Sequence, residues 1–254
     1  MFQRFDVTAD PSQGPARLAA LRGLMAQSGL DAVLVPRADR HQGEYVAPCD
    51  ERLAWLTGFT GSAGFCAVTQ GEAGVFVDGR YRVQVRAQVA PDFTPVNWPE
   101  TKLVDWLLDR LGAGQALGFD PWLHTIEEIG KLREALAPKG IGLVPIESPI
   151  DRLWTDRPPP PDAPFTVFPE EIAGESHASK RARIAAELRE AGERAAVLTL
   201  PDSVAWLLNI RGGDVAYNPV PHAYAVLHED GRCDLYCREG KAAMILDHLG
   251  EEVR

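Results

Sequence analysis

The sequence predicts an α/β protein made of two copies of one module, and three observations carry that prediction. Residues Arg52–Tyr81, RLAWLTGFTGSAGFCAVTQGEAGVFVDGRY, read as a short helix, a glycine-rich corner and two apolar strands. Val204–Gly212 repeats the spacing of Leu53–Gly61, and Ala223–Leu227 with Asp234–Cys237 stand where a second copy of the strand pair belongs. Residues 17–35 also align without a gap on 181–199, placing Arg17 on Arg181, Leu24 on Leu188 and Ala32-Val33-Leu34 on Ala196-Val197-Leu198.

In chain order, 16–28 carries Leu18, Leu21, Leu24 and Met25 at helical spacing, and Gly29 closes that helix. Asp31–Pro36 is a buried-strand run ended by proline. The polar connection 37–50 that follows is long for a compact domain, and connections of that length are often functional. Gly58, Gly61 and Gly64 permit positive φ and close backbone approach at the corner after the Arg52 helix. Gln70-Gly71-Glu72 between two apolar runs signals a hairpin. Beyond it we expect a helix over Tyr81–Val89 with Val83 and Val85 inward, a strand at Phe93–Val96, a helix over Lys102–Leu111 and a strand at Ala116–Asp120. Thr125 with Glu128 forms a capping box for a helix over Ile126–Leu136, and Ile141–Ile146 is the last strand of the first copy.

Residues 151–169 are proline-rich, and Pro158–Pro161 favour an extended connector of ~3.1 Å per residue. The expected organisation is therefore a first domain over 1–154, a linker over 155–175 and a second domain over 176–254. Ser176 is an N-cap candidate for a helix over Ser179–Ala191, Ala195–Leu200 is a strand, and Lys241–Leu249 is a helix with Met244, Ile245 and Leu249 inward. Four elements that follow the corresponding helix in the first copy have no counterpart in the second. The second domain is accordingly expected to be incomplete, and the chain to be part of something longer.

Composition narrows the function. A net charge of −10 argues against nucleic acid or an anionic membrane as the main partner. No apolar run is long enough for a secretory signal or a membrane span, and a cytoplasmic location is expected. Cys233 and Cys237 lie roughly 13 Å apart on an extended strand, too far for a disulfide.

No GxSxG, HExxH, Walker A or kinase pattern occurs, and the glycines at 58, 61 and 64 follow a helix rather than a strand. No histidine stands at metal-ligand spacing from a second ligand, so the chain is expected to hold neither a catalytic set nor a metal site of its own. Three places admit a functional reading. His41, with Glu44 and Tyr45, lies in the long polar connection; the alternative is a solvated loop. Arg80 follows Asp78-Gly79 at a strand end, where a guanidinium reaches a carboxylate by two hydrogen bonds; the alternative is a structural ion pair. Arg211-Gly212-Gly213-Asp214 occupies the matching corner of the second copy and reads as a tight turn with a local Arg–Asp pair.

The motifs HQGEYVAPCDERLAWLTGFTGSAG, FVDGRY, LWTDRP and SVAWLLNIRGGDVAYNPVPHAYAVL, in that order from 41 to 227, resemble the N-terminal half of the three-domain aminopeptidase P (X-prolyl aminopeptidase) family. The resemblance implies two related creatinase-N-like, ribonuclease H-like α/β domains with mixed sheets flanked by helices. It implies a metallopeptidase that removes an N-terminal residue preceding proline, acting on peptides with proline at the second position and forming a homodimer. It also implies two divalent metal ions, usually manganese, held by a catalytic pita-bread domain to which nothing in this sequence corresponds. His41 and Arg80 would then serve substrate binding from outside the catalytic domain. A binding protein that kept the scaffold without metal ligands, or a related prolidase or creatinase, are the alternatives.

Overall fold

Ala32-Val33-Leu34-Val35 is apolar at every position, which suits a strand covered on both faces, and this strand is central to the larger sheet. The computed structural model describes residues 9–254. Residues 1–8, part of the N-terminal stretch read as lacking a secretory signal, lie outside the described residues. The chain divides into two units, one up to Pro158 and one from Pro159 to Arg254.

The first unit runs α1 (Gly14–Gln27), β1 (Ala32–Pro36), α2 (Arg52–Thr57), β2 (Phe65–Thr69), β3 (Ala73–Val77), α3 (Arg82–Gln88), β4 (Thr94–Asn97), α4 (Leu103–Leu108), β5 (Ala116–Phe119), α5 (Ile126–Leu136), β6 (Gly142–Pro145) and α6 (Pro149–Leu153). Its six strands are ordered β4-β3-β2-β1-β5-β6. The pairs β1–β2 and β2–β3 are antiparallel, and β3–β4, β1–β5 and β5–β6 are parallel. Side chains alternate along each strand, so one set faces each way. Val33, Val35, Cys66 and Val68 pack with Leu18, Leu21 and Met25 of α1 and Leu53 and Leu56 of α2. Ala32, Leu34, Ala67 and Phe76 pack on the other face with Trp106 and Leu107 of α4 and Ile129, Leu132 and Leu136 of α5. The Thr125 cap forms as expected, its Oγ1 accepting the Glu128 N–H at 3.1 Å.

The second unit runs β7 (Thr166–Val167), α7 (Glu170–Ala173), α8 (His177–Glu190), β8 (Ala195–Leu198), α9 (Pro201–Leu208), β9 (Ile210–Arg211), β10 (Tyr224–His228), β11 (Cys233–Tyr236) and α10 (Leu246–Leu249). Its main sheet has the order β11-β10-β8, with antiparallel pairing throughout, as in β3-β2-β1 of the first unit. Val253 makes a parallel bridge to Cys233, a pairing of the same sense as β4 on β3.

Trp55 and Trp206 occupy equivalent places. Each lies in the helix after the first sheet strand, and each helix ends in a left-handed residue, Gly58 at φ 86° and Asn209 at φ 50°. The alignment read from the sequence nevertheless slips by one residue. Gly29 and Gly192 are the left-handed residues just past α1 and α8. Val35 and Leu198 both face the helices, whereas Val197 is 70% exposed on the opposite face. A one-residue shift reverses every side chain of a strand, so Val35 must match Leu198, and Arg17 then matches Lys180. The contacts agree. Arg17 Nη1 donates to the Trp55 carbonyl at 2.5 Å with its guanidinium 4.5 Å from the Trp55 ring, and Lys180 Nζ donates to the Trp206 carbonyl at 2.9 Å with its ammonium 4.5 Å from that ring.

Other expectations need correction. Val83 and Met244 point to solvent, because only Val85 on α3, and Ile245 and Leu249 near α10, meet the core. The stretch around Lys241–Leu249 is broken into a 3₁₀ turn and the single turn of α10. Part of the stretch read as a spacer is built into the second unit: Phe165 is fully buried in its core, and β7 pairs with β9.

Candidate functional site

The long connection after β1 and the glycine corner after α2 converge on Arg37. Its backbone N–H donates to the Gly64 carbonyl at 3.1 Å, continuing the β1–β2 ladder past Pro36. Its Nη1 donates to the carbonyls of Glu44, at 2.8 Å, and Ser62, at 2.9 Å, and its Nη2 lies 3.3 Å from Glu51 Oε1. Burial pushes the Glu51 carboxyl above its ordinary range, and the Arg37 guanidinium opposes that shift. One guanidinium thus ties the connection to the corner.

The corner is joined in turn to the strand-end motif. The Ser62 and Tyr81 hydroxyls hydrogen-bond at 2.6 Å, and the Tyr81 ring meets Phe59 edge-on at 5.7 Å. Arg80 projects outward, with its side chain 62% exposed. Its Nη2 and Nε reach Asp78 Oδ2 at 2.7 and 3.2 Å, and its guanidinium lies 5.0 Å from the Tyr81 ring. The hydrogen bonds from Arg80 hold the Asp78 carboxyl below the usual carboxylate range. Asp78, Tyr81 and Glu44 of the long connection all favour the charged form of Arg80.

His41 is placed differently from Arg80. Asp39 Oδ1 accepts the N–H groups of His41 and Gly43 at 2.8 and 3.0 Å, forming a turn that holds His41 buried. The structure therefore brings Arg80 close to the loop through Glu44, with Arg80 open to solvent and His41 largely enclosed. Next to His41, the Arg40 guanidinium lies 5.3 Å from the Trp122 ring in the connection after β5.

A charged cluster underpins this arrangement. Arg52, 2% exposed, donates from Nε and Nη2 to the two oxygens of Asp151 at 2.6 and 3.0 Å, and from Nη1 to Asp50 Oδ1 at 2.9 Å. Arg157 adds Nη1 to Asp151 Oδ2 at 2.7 Å and Nε to the Cys49 carbonyl at 2.6 Å. Burial alone would raise the Asp151 carboxyl, but hydrogen bonds and charge from Arg52, with help from Arg157, hold it below its ordinary range. Burial and the neighbouring Asp50 push the Cys49 thiol up to about 11, so it stays protonated and unreactive. Sequence reading quoted the segments that carry Arg52, Asp151 and Arg157 but missed their pairing. Partners about a hundred residues apart leave no periodic signal. Arg37 was missed because two of its acceptors are backbone carbonyls, and the Ser62–Tyr81 hydroxyl pair because it joins two separate turns.

In the second unit Asp214 turns inward to Lys241, and both side chains are buried. Asp214 Oδ2 also accepts the His222 N–H at 2.6 Å. Arg211 lies 3.8 Å from the Phe168 ring and donates to the Ile210 carbonyl at 2.8 Å. The Asp214 partner is thus long-range rather than the local one expected at this turn. The charge of Lys241 explains that choice, because an enclosed ammonium requires a carboxylate.

No group of three or more His, Cys, Asp or Glu side chains among the described residues is arranged to hold a metal ion. The carboxylates of Asp50, Asp78 and Asp151 are already bound by arginine. These residues do not fit a dinuclear centre. No helix among the described residues is long and apolar enough to cross a membrane.

Comparison with known proteins places this geometry. Residues 17–153 and 156–254 each match a sequence family described as creatinase/prolidase N-terminal domain. The chain is 38% identical to aminopeptidase P1 of Arabidopsis thaliana over 93% of its own length and 38% of that protein. It is 37% identical to a probable Xaa-Pro aminopeptidase P of Paracoccidioides lutzii, over 97% of its length and 40% of that protein. The structure superposes on the X-prolyl aminopeptidase of Caenorhabditis elegans, described as a cytosolic enzyme with a di-nuclear active site, with a TM-score of 0.89 at 32% identity, covering 95% of this chain and 42% of that one. The chain thus spans about two fifths of the relatives it matches.

Proposed function

The chain belongs to the creatinase/prolidase N-terminal domain family, with one match in each half, and on that premise we propose that it forms the two N-terminal domains of an Xaa-Pro aminopeptidase. The observation that carries the reading is the near-complete superposition on the C. elegans enzyme, together with 37–38% identity to two aminopeptidases P. The substrates are peptides with proline at the second position. In this reading the chain is not itself catalytic: it shapes substrate access and supports assembly as a homodimer. The limit 1–154 is kept for the first domain, and the second is extended back from 176 to take in Phe165 and β7. The enzyme acts in the cytosol, without nucleic acid or membrane as partner, in keeping with the net charge of −10.

A pair of divalent ions, manganese in our reading, would supply carbonyl polarisation and an activated water. Among the described residues no side chains converge to hold such a pair, and in this reading its ligands come from another part of the polypeptide. What this chain contributes is Arg80. Presented at a strand end and backed by Asp78 and Tyr81, its guanidinium is oriented without being enclosed, and suits a carboxylate or carbonyl of an approaching peptide. The loop of His41 is held in place behind it by Arg37 and the Asp39 turn.

The test is a paired assay with an Xaa-Pro peptide and excess Mn²⁺, using the 254-residue chain and the polypeptide extended to the length of its relatives. Release of the N-terminal residue by the extended form alone, abolished by a chelator, is expected. Activity of the 254-residue chain with a stoichiometric Mn²⁺ site in calorimetry would show that the active site was misplaced. No activity in either form would favour a binding role for the scaffold.

A further inference from the structure

One local device recurs at three strand ends of the first unit. Asp39, Asp78 and Asp120 stand just beyond β1, β3 and β5, and the Oδ1 of each accepts the N–H two residues on. The distances are 2.8 Å from His41, 2.9 Å from Arg80 and 2.9 Å from Trp122. β1 and β3 both run antiparallel to β2, and β5 runs parallel to β1, so the three carboxyl ends share one edge of the sheet. His41 is enclosed, whereas Arg80 projects outward and Trp122 is 54% exposed, a part of neither core cluster. A large indole is thus held out at a strand end by a backbone that is itself fixed.

The topology points to the same place. After β1 the chain passes to α2, which packs on the face with α1, and after β5 it passes to α5 on the opposite face. Adjacent parallel strands whose connections leave to opposite faces open a crevice at their carboxyl ends, and α/β proteins bind ligands there. Arg40 comes from the connection after β1 and Trp122 from the connection after β5, with the guanidinium 5.3 Å from the ring. Both side chains are exposed. Further along, the same β1 connection brings Glu44 to favour the charge of Arg80. We propose that Arg40 and Trp122 form a second peptide subsite at the crevice between β1 and β5. The indole takes an apolar or prolyl side chain of the substrate, and Arg40 meets a main-chain carbonyl beside it. This rests on the aminopeptidase reading and adds to it the length and character of the peptide. β3 and β5 are three strand spacings apart, about 14 Å. An extended peptide rises ~3.3 Å per residue, so a tripeptide of about 10 Å falls short of that span and a hexapeptide of about 20 Å covers it. The favoured substrates are therefore oligopeptides of roughly five or more residues with an apolar side chain beyond the proline.

The test uses the polypeptide extended to the length of its relatives, with Ala-Pro-Ala and Ala-Pro-Ala-Leu-Phe-Ala as the two probes. Trp122→Ala should raise the ratio of hexapeptide KM to tripeptide KM by about three- to tenfold, the worth of one aromatic contact. The hexapeptide kcat should hold, because the contact is made equally in the ground state and the transition state. Trp122→Phe keeps a flat ring and should restore most of the ratio, and Tm should not move in either variant. An unchanged ratio would overturn the subsite, and so would equal rises in KM for both peptides with a lowered Tm, which mark a structural role. Failure of the wild type to hydrolyse either peptide would refute the aminopeptidase reading by itself. The same peptides are then titrated by tryptophan fluorescence. A response to the hexapeptide that Trp122→Phe abolishes would keep the subsite, and no such response would overturn it as well.

Discussion

Asp151→Asn is the sharpest test of how the first unit is held together. Asp151 is the only side chain on its element that receives both Arg52 and Arg157, and its two oxygens take three hydrogen bonds of 2.6–3.0 Å. The asparagine keeps the volume but removes the charge and one acceptor. Arg52, 2% exposed, would then face Asp50 alone. Removing one partner of a buried ion pair costs about 3–5 kcal/mol, because the remaining charge stays desolvated. The Asp151 side chain is 26% exposed and Asp50 stays in place, so the lower end applies, about 3 kcal/mol. For a unit of this size that lowers Tm by roughly 6–12 °C. The assay is urea and thermal unfolding of the first unit, followed by near-UV circular dichroism of the stacked Trp55–Trp154 pair, which reports the same junction. Arg52→Met combined with Asp151→Asn should recover part of the loss, since it removes the stranded charge. A loss below about 1 kcal/mol for Asp151→Asn would refute the reasoning, and would mean that the cluster is hydrated enough to behave as a surface pair.

Four further outcomes are expected. Gly58→Ala should destabilise the first unit by roughly 1–3 kcal/mol in urea titration, because φ is 86° there and the added Cβ would lie 2.5 Å from the Gln88 carbonyl oxygen. Gly23→Ala, with open space around its Cβ in mid-helix, should instead stabilise by about 0.5–1 kcal/mol. Burial, then the charges of His248, Arg181 and Lys180, hold His177 below its ordinary range. The unfolded chain therefore binds this proton more readily, and stability is lost as pH falls below about 6.5, by at most ~1.4 kcal/mol per pH unit, a slope that His177→Gln should flatten in midpoints measured between pH 5 and 7.5. In the extended polypeptide, Arg80→Ala should raise KM for Xaa-Pro peptides several-fold with an unchanged Tm; a lowered Tm with unchanged KM would return Arg80 to the role of a structural pair for Asp78.

The helices and strands that could be read in advance are those whose signal is local. Leu18, Leu21 and Met25 declare a helical face, Ala32–Val35 a buried strand, and Thr125 a cap, because each depends on residues within one or two turns. Val83 and Met244 were misassigned because residues one or two positions apart on a helical turn point in different directions, so Val83 cannot face inward with Val85, nor Met244 with Ile245. The duplication was legible as well, but its register was not. Helix periodicity tolerates a shift of one residue when leucines and alanines are frequent, so matching Arg17 to Arg181 looked natural. Strand parity does not tolerate such a shift, and the cation beneath each tryptophan belongs to Arg17 and Lys180.

The candidate site was legible only at its ends. Arg80 announces itself at a strand terminus and His41 in a long polar connection, yet what makes a site of them is Arg37, which reads as one more charged residue after a proline. Its guanidinium reaches two carbonyls and a carboxylate from three segments, and backbone acceptors leave no trace in side-chain composition. The same holds for Arg157, whose Nε takes the Cys49 carbonyl. This has a consequence for how the site is built. The loop of His41 is pinned through the main-chain oxygen of Glu44, which substitution of its side chains would not remove, while Arg80 depends on one half-buried carboxylate, that of Asp78. Changes within 41–45 should therefore leave the loop in place, and changes at Arg37 should release it with its side chains intact.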